Sequence, residues 1–489
     1  MLSSVRDVVK LFRLDYRSLA LYRVLLGCVL LYDTAARLSE TAAFYTDRGV
    51  LPRGPYVEQF QGRWSWSLHL LSGEASVQYV LFALAAACAA AFLVGYRTRL
   101  ATLGSLLLLV SLHNRNPFVT SASDQLMRVL MFWTLFLPAG AAYSVDRALA
   151  VRGAAGGETA PPAGGAAVSA GTAAFTLQVC LVYWFTAVLK SDPEWWQDGS
   201  ALYYTLNLDY LTTDWGRLLL SLPGLLTALS FFTIAFEVVG PALIFLPRRN
   251  GPVRTAVAVA FALFHLGMTP LLTLGTFPFV CAAMWGALLP PWFWERAARL
   301  RGRAPEVAPG PDSPDERRAP AWQNALAALF FAYALLWNFS TVTANRVGVP
   351  DRLAWVAHAT GLAQIWNMFT PHPKKDDGWY VAPARLASGA EVDLFRGGAP
   401  VNWAKPADAS SLYPSAYWQK YLEYIWLRDF AGLRPHYARY LCREWNDSHE
   451  GGERLLTFDL VYMREDTPPP GEPARPAEPA VVLRHECQP

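Results

Sequence analysis

Long apolar stretches dominate the chain up to about residue 345, and most have the length that a helix needs to cross a bilayer. A spanning helix requires about 20 apolar residues, and nine stretches meet or approach this length. They lie near residues 18–38, 76–94, 99–114, 125–145, 171–190, 221–246, 253–269, 271–292 and 321–342. A tight turn alone separates the seventh from the eighth, so this pair could instead form one re-entrant feature. The pattern predicts an all-α polytopic membrane bundle of about nine transmembrane helices.

The pattern changes after the last apolar stretch. Trp379–Leu386 and Glu391–Phe395 alternate between apolar and polar residues on either side of Ser388-Gly389, which is typical of a β-hairpin. Residues 415–430 and 434–446 are expected to form short helices. Residues 454–463 are expected to form a further strand.

These patterns divide the chain into three parts. We expect a transmembrane domain over residues 1–344 and a small α+β domain over residues 345–465. Residues 466–489 are rich in proline, which predicts a disordered tail. Within the transmembrane domain, residues 151–170 and 301–320 have the composition of flexible linkers.

The positive charges predict how the bundle is oriented. If the N-terminus is cytoplasmic, the inner segments carry seventeen Lys and Arg residues and the outer segments carry seven. Cytoplasmic loops are enriched in these residues. An odd number of spans then places the C-terminal domain outside the cytoplasm, in a multi-pass protein of the cell membrane.

Composition agrees with a bilayer as the main partner. The 489 residues are 53% hydrophobic and only 17% charged, whereas soluble chains carry about 25% charged residues. The net charge of +3 is small, and no run of Lys or Arg in the chain suggests nucleic-acid binding. No nucleic-acid partner is therefore expected. Motifs typical of serine hydrolases, zinc peptidases, ATPases and dinucleotide-binding enzymes are absent from the sequence.

The cysteines predict no metal site. The six cysteines include no CxxC pair and no zinc spacing. Four of them fall in apolar segments and are expected to act as small core residues. Cys442 and Cys487 lie in the C-terminal region, and they could form a disulfide if that region lies outside the cytoplasm.

Lys190 is the sharpest candidate for chemistry, because ionisable side chains at membrane depth are costly and often functional. It ends an apolar segment and is followed by Ser191, Asp192, Pro193 and Glu194. In an apolar pocket its amine could be neutral and act as a base. Alternatively, Lys190 is an anchor that reaches the membrane surface and pairs with Asp192.

Other polar residues lie within or beside the apolar stretches. His265 could be a hydrogen-bonded packing residue, a proton carrier or a ligand to a polar head group. His113 and Asn114, at the end of the third stretch, could form the floor of a polar pocket or simply cap a helix. Glu237 lies deep enough to need a cation or a hydroxyl as partner, and Arg128 is four residues after Asp124, a spacing that permits an ion pair.

The order of several short motifs resembles the HTTM family, whose members are similar to the membrane domain of vitamin K-dependent γ-glutamyl carboxylases. The matching segments are Asp15–Gly27, Tyr32-Asp33, Gly95–Arg99, Tyr143–Asp146, Ala187–Trp195, Phe264-His265, Gly275–Phe277 and Trp366–Met368. The resemblance covers roughly residues 10–400. It implies a cytoplasmic N-terminus and activity on the opposite side of the membrane.

The resemblance also implies roles for individual residues. Lys190 matches the lysine regarded as the base for vitamin K hydroquinone, and His265 matches a histidine of the quinone pocket. The carboxylases' Asn-Asn-His element is matched only in part, because Asn114 aligns and Arg115 stands at the position of the histidine. A vitamin K-type hydroquinone, here of the menaquinone type, would be used with O2 and CO2, and no metal is implied.

Two functions remain open at this stage. The first is a quinone-dependent enzyme that carboxylates glutamate to γ-carboxyglutamate in a secreted peptide, with Lys190 as base and His113, Asn114 and His265 in the substrate or quinone pocket. The second is a non-catalytic maturation or binding factor for a secreted peptide or toxin. Some bacterial HTTM relatives assist such maturation.

Overall fold

A computed structural model describes residues 5–60, 65–153, 165–302 and 319–488. The predicted linkers at 151–170 and 301–320 lie largely outside the described residues. The helices are α1 Val5–Lys10, α2 Tyr16–Leu38, α3 Thr41–Tyr45, α4 Arg53–Gln59, α5 Ala75–Val94, α6 Thr98–Arg115, α7 Ala122–Thr134, α8 Val145–Gly153, α9 Ala170–Leu189, α10 Pro193–Trp196, α11 Ala201–Leu206, α12 Asp214–Leu219, α13 Pro223–Leu243, α14 Asn250–Met268, α15 Phe277–Gly286, α16 Pro291–Leu300, α17 Ala321–Val342, α18 Ala354–Thr360, α19 Ala416–Trp426 and α20 Arg434–Asn446. The strands are β1 Leu14–Asp15, β2 Ala166–Ala167, β3 Asp376–Val381, β4 Pro383–Leu386, β5 Glu391–Asp393, β6 Leu455–Asp466 and β7 Glu478–Glu486.

All nine apolar stretches contain helices, but fewer than nine of those helices are long and apolar enough to span a bilayer. Within the described residues six helices qualify, namely α2, α5, α9, α13, α14 and α17. A seventh span results if α15 and α16, which meet at a 90° bend, are counted together. The helix α6 has polar residues at both ends, and α7 has only 13 residues. The prediction of about nine spans is therefore not confirmed, since the described residues contain six or seven candidate spans.

The spanning helices differ in how deeply they lie within the bundle. In α9, 72% of the most apolar 18-residue window is buried inside the protein, against 17% in α17. The helix α9 is therefore surrounded by protein, whereas most of α17 remains available to lipid. Because a buried helix needs no lipid-facing apolar side, α9 can carry polar and ionisable groups into the interior.

Segments that the charge pattern predicts to be cytoplasmic meet at one end of the bundle. There β1 pairs with β2 in antiparallel fashion. Arg254 Nη1 donates to the carbonyl of Leu11 over 2.9 Å, and Trp294 Nε1 donates to Ser18 Oγ over 2.7 Å. The segments that the same pattern predicts to be outside, with the C-terminal domain, meet at the opposite end.

The C-terminal domain is a sheet with helices packed against it. The long strand β6 pairs antiparallel with β3, β4 and β7, and β4 also pairs with β5. The predicted hairpin, the two helices and the strand near 454–463 are all present. The prediction of a disordered tail over 466–489 was wrong, because β7 hydrogen-bonds along β6 and Cys487 forms a disulfide with Cys442. The proline content marked only the connection between these strands.

This domain closes the end of the bundle through the helix α19. Tyr417 donates its hydroxyl to Asp33 Oδ1 over 3.1 Å, and Trp418 Nε1 donates to Glu40 Oε2 over 3.1 Å. Asp33 belongs to the spanning helix α2. The two domains are therefore joined by hydrogen bonds to charged groups as well as by apolar packing.

Candidate functional site

Lys190 follows the last residue of α9 and points into the protein. Its Nζ donates to both carboxylate oxygens of Glu237, over 2.7 and 2.6 Å. The side chains are only 3% and 9% exposed. Glu237 comes from the middle of α13, so the pair joins two spanning helices. The alternative pairing of Lys190 with Asp192 was wrong, since Lys190 pairs with Glu237, and Oδ2 of Asp192 lies 3.8 Å from His372 Nε2.

Two tryptophans of the short helix α10 hold Lys190 in place. The Lys190 ammonium lies 4.4 Å from the ring centroid of Trp195, a distance at which a cation is attracted to the face of the ring. The indole of Trp196 donates to the carbonyl of Lys190. The sequence Pro193-Glu194-Trp195-Trp196 therefore folds back over the end of α9 and covers the amine with aromatic surface.

His265 lies in a second polar group within the same part of the bundle. Trp285 Nε1 donates to the hydroxyl oxygen of Tyr183 over 2.7 Å, and that hydroxyl is 2.8 Å from His265 Nε2. Because Trp285 can only donate, the Tyr183 hydroxyl hydrogen is available for donation to His265 Nε2. The other ring nitrogen, Nδ1, is buried and has no hydrogen-bond partner among the described residues.

Aromatic rings border the His265 group. The rings of Phe236 and Phe261 are stacked with centroids 4.0 Å apart, and those of Phe261 and Trp285 are stacked with centroids 4.1 Å apart. Phe236 precedes Glu237 in α13, so the stack runs from the ion pair to the histidine network. The region thus combines closely packed aromatic rings with a few polar atoms, a mixture that is typical of small-molecule sites.

His113 lies in a different cluster, in which buried charges balance one another. Arg37 donates to Asp33 Oδ2 over 2.9 Å and to Asp124 Oδ1 over 2.6 Å. His113 Nε2 is 3.1 Å from Asp124 Oδ1, and its Nδ1 is 3.0 Å from Arg128 Nη1. Arg128 therefore contacts His113, whereas the close ion-pair partner of Asp124 is Arg37 and not the Arg128 that the spacing suggested.

The residues Asp33, His113 and Asp124 could in principle offer three ligand atoms to a metal ion, since these atoms lie within 4.8 Å of one another. The guanidinium of Arg37 already bonds to both carboxylates. Tyr417 adds a hydroxyl to Asp33 and lies over Arg37, with the guanidinium carbon 4.6 Å from its ring centroid. The cluster is better described as a buried ion-pair network that anchors the C-terminal domain.

Asn114 contributes to the packing of the loop above α6. Its Nδ2 donates to the carbonyl of Trp66 over 2.9 Å, and its own carbonyl accepts a hydrogen bond from Tyr56 over 2.5 Å. In the described part of the chain, no hydrogen bond or ion pair joins His113 or Asn114 to Lys190 or His265. The four predicted site residues therefore fall into two groups: Lys190 and His265 lie in one part of the bundle, and His113 and Asn114 lie in another.

Sequence reasoning missed several members of both groups. Tyr183 and Trp285 look like ordinary aromatic core residues, and nothing in the sequence separates them from their neighbours. Asp33 and Arg37 could have been found, because an acidic and a basic residue four apart in an apolar helix mark a buried ion pair. Tyr417 lies too far along the chain for its contact with α2 to be inferred.

Comparison with known proteins adds one finding. Residues 12–292 match the HTTM domain family. This span covers more than half of the 489 residues and contains Lys190, Glu237, His265 and the Arg37 network. No curated protein and no solved structure matches the chain.

Proposed function

Because the chain belongs to the HTTM domain family, we propose that it is a quinone-coupled membrane enzyme that carboxylates glutamate side chains of a secreted peptide on the outer side of the membrane. The HTTM domain is associated with the membrane domains of vitamin K-dependent carboxylases. The observation that carries the proposal is the buried pair of Lys190 and Glu237, which provides an amine and a proton acceptor in a region shielded from water.

The pair of Lys190 and Glu237 allows Lys190 to be either a protonated ammonium or a neutral amine, the two states that a base needs. In the ion pair, the carboxylate of Glu237 offsets part of the cost of burying the protonated amine. Transfer of one proton along the 2.6 Å hydrogen bond to Glu237 leaves a neutral amine. Neutral Lys190 can then remove a proton from a hydroxyl that approaches from the aromatic side. Glu237 is thus proposed as the group that activates Lys190.

The residues present suit a vitamin K-type hydroquinone. The stacked rings of Phe236, Phe261 and Trp285 make the surroundings apolar, and His265 Nδ1 is a buried polar atom without a partner among the described residues. Such a hydroquinone, when bound, would supply with O2 the strong base that removes a γ-proton before CO2 is added. Lys190 would take the hydroquinone proton, and His265 would bind one of its oxygens.

The proposed chemistry also requires the exclusion of water, since water would quench a strong base. Trp195 covers the amine of Lys190, and its own Nε1 donates to the carbonyl of Phe369 over 3.0 Å. The segment that leads into the C-terminal domain therefore holds the aromatic cover in position. We propose that this cover keeps the pair dry while a client peptide is bound.

The test is quinone epoxidation by membranes that contain the full-length protein. The substitution Lys190→Ala should abolish epoxidation while the protein still accumulates. The control is Lys375→Ala, which removes another lysine that pairs with a carboxylate, Glu194, but is 40% exposed. Full turnover in the Lys190→Ala variant would refute the enzyme proposal.

A second function is favoured by one observation. His113 belongs to the ion-pair network beneath Tyr417 and is not joined to Lys190. The outer end of the bundle could therefore serve as a platform that binds a secreted peptide or toxin during maturation without chemistry. Retention of a client by the wild-type protein and by Lys190→Ala alike, with no turnover in either, would support this alternative.

A further inference from the structure

Arg115, at the end of α6, is a buried cation that lacks adequate partners. The residue is 0% exposed. Its single hydrogen bond among the described residues runs from Nη2 to the carbonyl of Thr46 and is long, at 3.4 Å. The Nε and Nη1 atoms have no partner in the described part of the chain. Leaving buried charged donors unpaired costs several kcal/mol.

Two other buried arginines, Arg23 and Arg37, show how hydrogen bonds or ion pairs can offset that cost. Arg23 donates to the carbonyls of Leu93, Ala139, Ala142 and Tyr143, the closest contacts being 2.7 and 2.5 Å. Arg37 is paired with two carboxylates, as described above. Arg115 has neither a set of carbonyls nor a carboxylate, so its environment differs from those of Arg23 and Arg37.

The groups around Arg115 do not supply the missing negative charge. Asp47, a carboxylate whose charge acts on Arg115, accepts three hydrogen bonds from the side chain of Arg53, over 2.7 to 3.1 Å. Tyr45 accepts from Arg37, and Tyr56 donates its hydroxyl to the carbonyl of Asn114. The carboxylate of Asp47 is therefore bonded to Arg53, and no ion pair joins it to Arg115 among the described residues.

We propose that Arg115 is the binding site for a small planar anion of the carboxylate type, such as bicarbonate or the carboxylate of a side chain. A guanidinium has two edges at which a carboxylate can bind through two hydrogen bonds. In Arg115 each edge includes one of the two unpaired donors, Nε or Nη1. Arg115 is fully buried, and the exclusion of water would strengthen such an interaction.

The site is independent of the proposed role of Lys190, and it can be tested by binding alone. The thermal midpoint of purified full-length protein in mild detergent is measured with increasing acetate or bicarbonate. Ionic strength is kept constant with chloride. A ligand that binds only the folded state raises the midpoint. We expect a saturable rise of about 2 °C or more in the wild type. The acetate and bicarbonate series separate a side-chain carboxylate from bicarbonate as the preferred source.

Two variants make the result specific. Arg115→Gln should abolish the rise, and Arg115→Lys should weaken it because the two-donor edges are lost. The control is Arg48→Gln, which removes an arginine that is 76% exposed and paired with Asp447, and which should respond like the wild type. A wild type that responds to neither anion would overturn the proposal, as would an unchanged rise in Arg115→Gln.

If Arg115→Gln does not fold, the wild type still decides the question. An experimental map obtained in acetate should show a planar anion within hydrogen-bond distance of Nε or Nη1 of Arg115. A map that shows only water beside both nitrogens would refute the site.

Discussion

Lys190 Nζ lies 2.7 Å from Oε1 and 2.6 Å from Oε2 of Glu237, so that the end of α9 is bound to the middle of α13. The contact buries both charged groups and makes each the ion-pair partner of the other. A buried pair of this kind is neutral overall whether the proton resides on the amine or on the carboxylate. This property lets Lys190 serve both the structure and the proposed chemistry.

The first prediction separates these two roles. Glu237→Gln keeps the size of the side chain but removes the carboxylate that stabilises the ammonium formed when Lys190 accepts a proton, so Lys190 becomes a weaker base. We expect epoxidation to fall about 100-fold or more while the protein still accumulates in the membrane. Glu237→Asp, which retains a carboxylate, should recover part of the activity. Activity of Glu237→Gln equal to that of the wild type would show that Glu237 only neutralises a structural lysine.

The second prediction concerns the Arg37 network. Replacing Arg37 with Met leaves Asp33 and Asp124 without their shared cation, and loss of one partner from a buried ion pair costs about 3–5 kcal/mol. Unfolding in mild detergent should therefore begin at a clearly lower temperature than in the wild type. Arg48→Met, at an exposed arginine, should change stability by less than about 0.5 kcal/mol. Equal stability of the two variants would contradict a structural role for the network.

The distribution of apolar residues was sufficient to predict the membrane bundle and the small C-terminal sheet. The positions of helices along the sequence follow from local hydropathy, which is why all nine stretches are helical. The number of spans does not follow from it, because length and bending decide whether a helix crosses. The helix α7 is only 13 residues long, and α15 turns by 90° into α16.

The candidate site was only partly predictable, for a related reason. The sequence singled out Lys190, Glu237 and His265, since ionisable residues in apolar surroundings are conspicuous. It could not show that Lys190 pairs with Glu237, because that contact depends on how α9 and α13 cross. It also grouped His113 with His265, although the structure assigns His113 to the network around Arg37. Which side chains from distant helices come into contact depends on how the helices pack in the folded protein.

The third prediction uses Asp377 in the C-terminal domain. Burial raises the pKa of Asp377 to about 7, with Asp209 and Glu465 adding to the rise. The folded pKa is thus above the unfolded value of about 3.9. The stabilising contribution is complete below the unfolded value and is lost as the pH rises through the folded pKa. We expect unfolding stability to fall as the pH rises from about 4 to about 7, by at most about 1.4 kcal/mol per pH unit, and to level off at higher pH.

Substitution of the same residue checks the assignment. In Asp377→Asn this part of the pH dependence should disappear, whereas Asp376→Asn, at the neighbouring position, should keep it. Thermal midpoints of both variants and the wild type at several pH values give the comparison. A slope that persists in Asp377→Asn would assign the titration to another group.

The last prediction concerns the side of the membrane on which the C-terminal domain lies. The basic segments gather at the end of the bundle that contains β1, β2 and α16, and cytoplasmic segments carry the excess of Lys and Arg. The opposite end contains Lys190, Arg115 and the C-terminal domain, whose disulfide between Cys442 and Cys487 suits an oxidising compartment. We therefore expect the C-terminal domain to lie outside the cytoplasm.

In a background without the free cysteines, Ser411→Cys should react with a membrane-impermeant thiol reagent in intact cells, and Arg248→Cys should react only after the cells are opened. The reverse pattern would invert the protein in the membrane, and it would remove the physical access that a secreted client needs to reach Lys190.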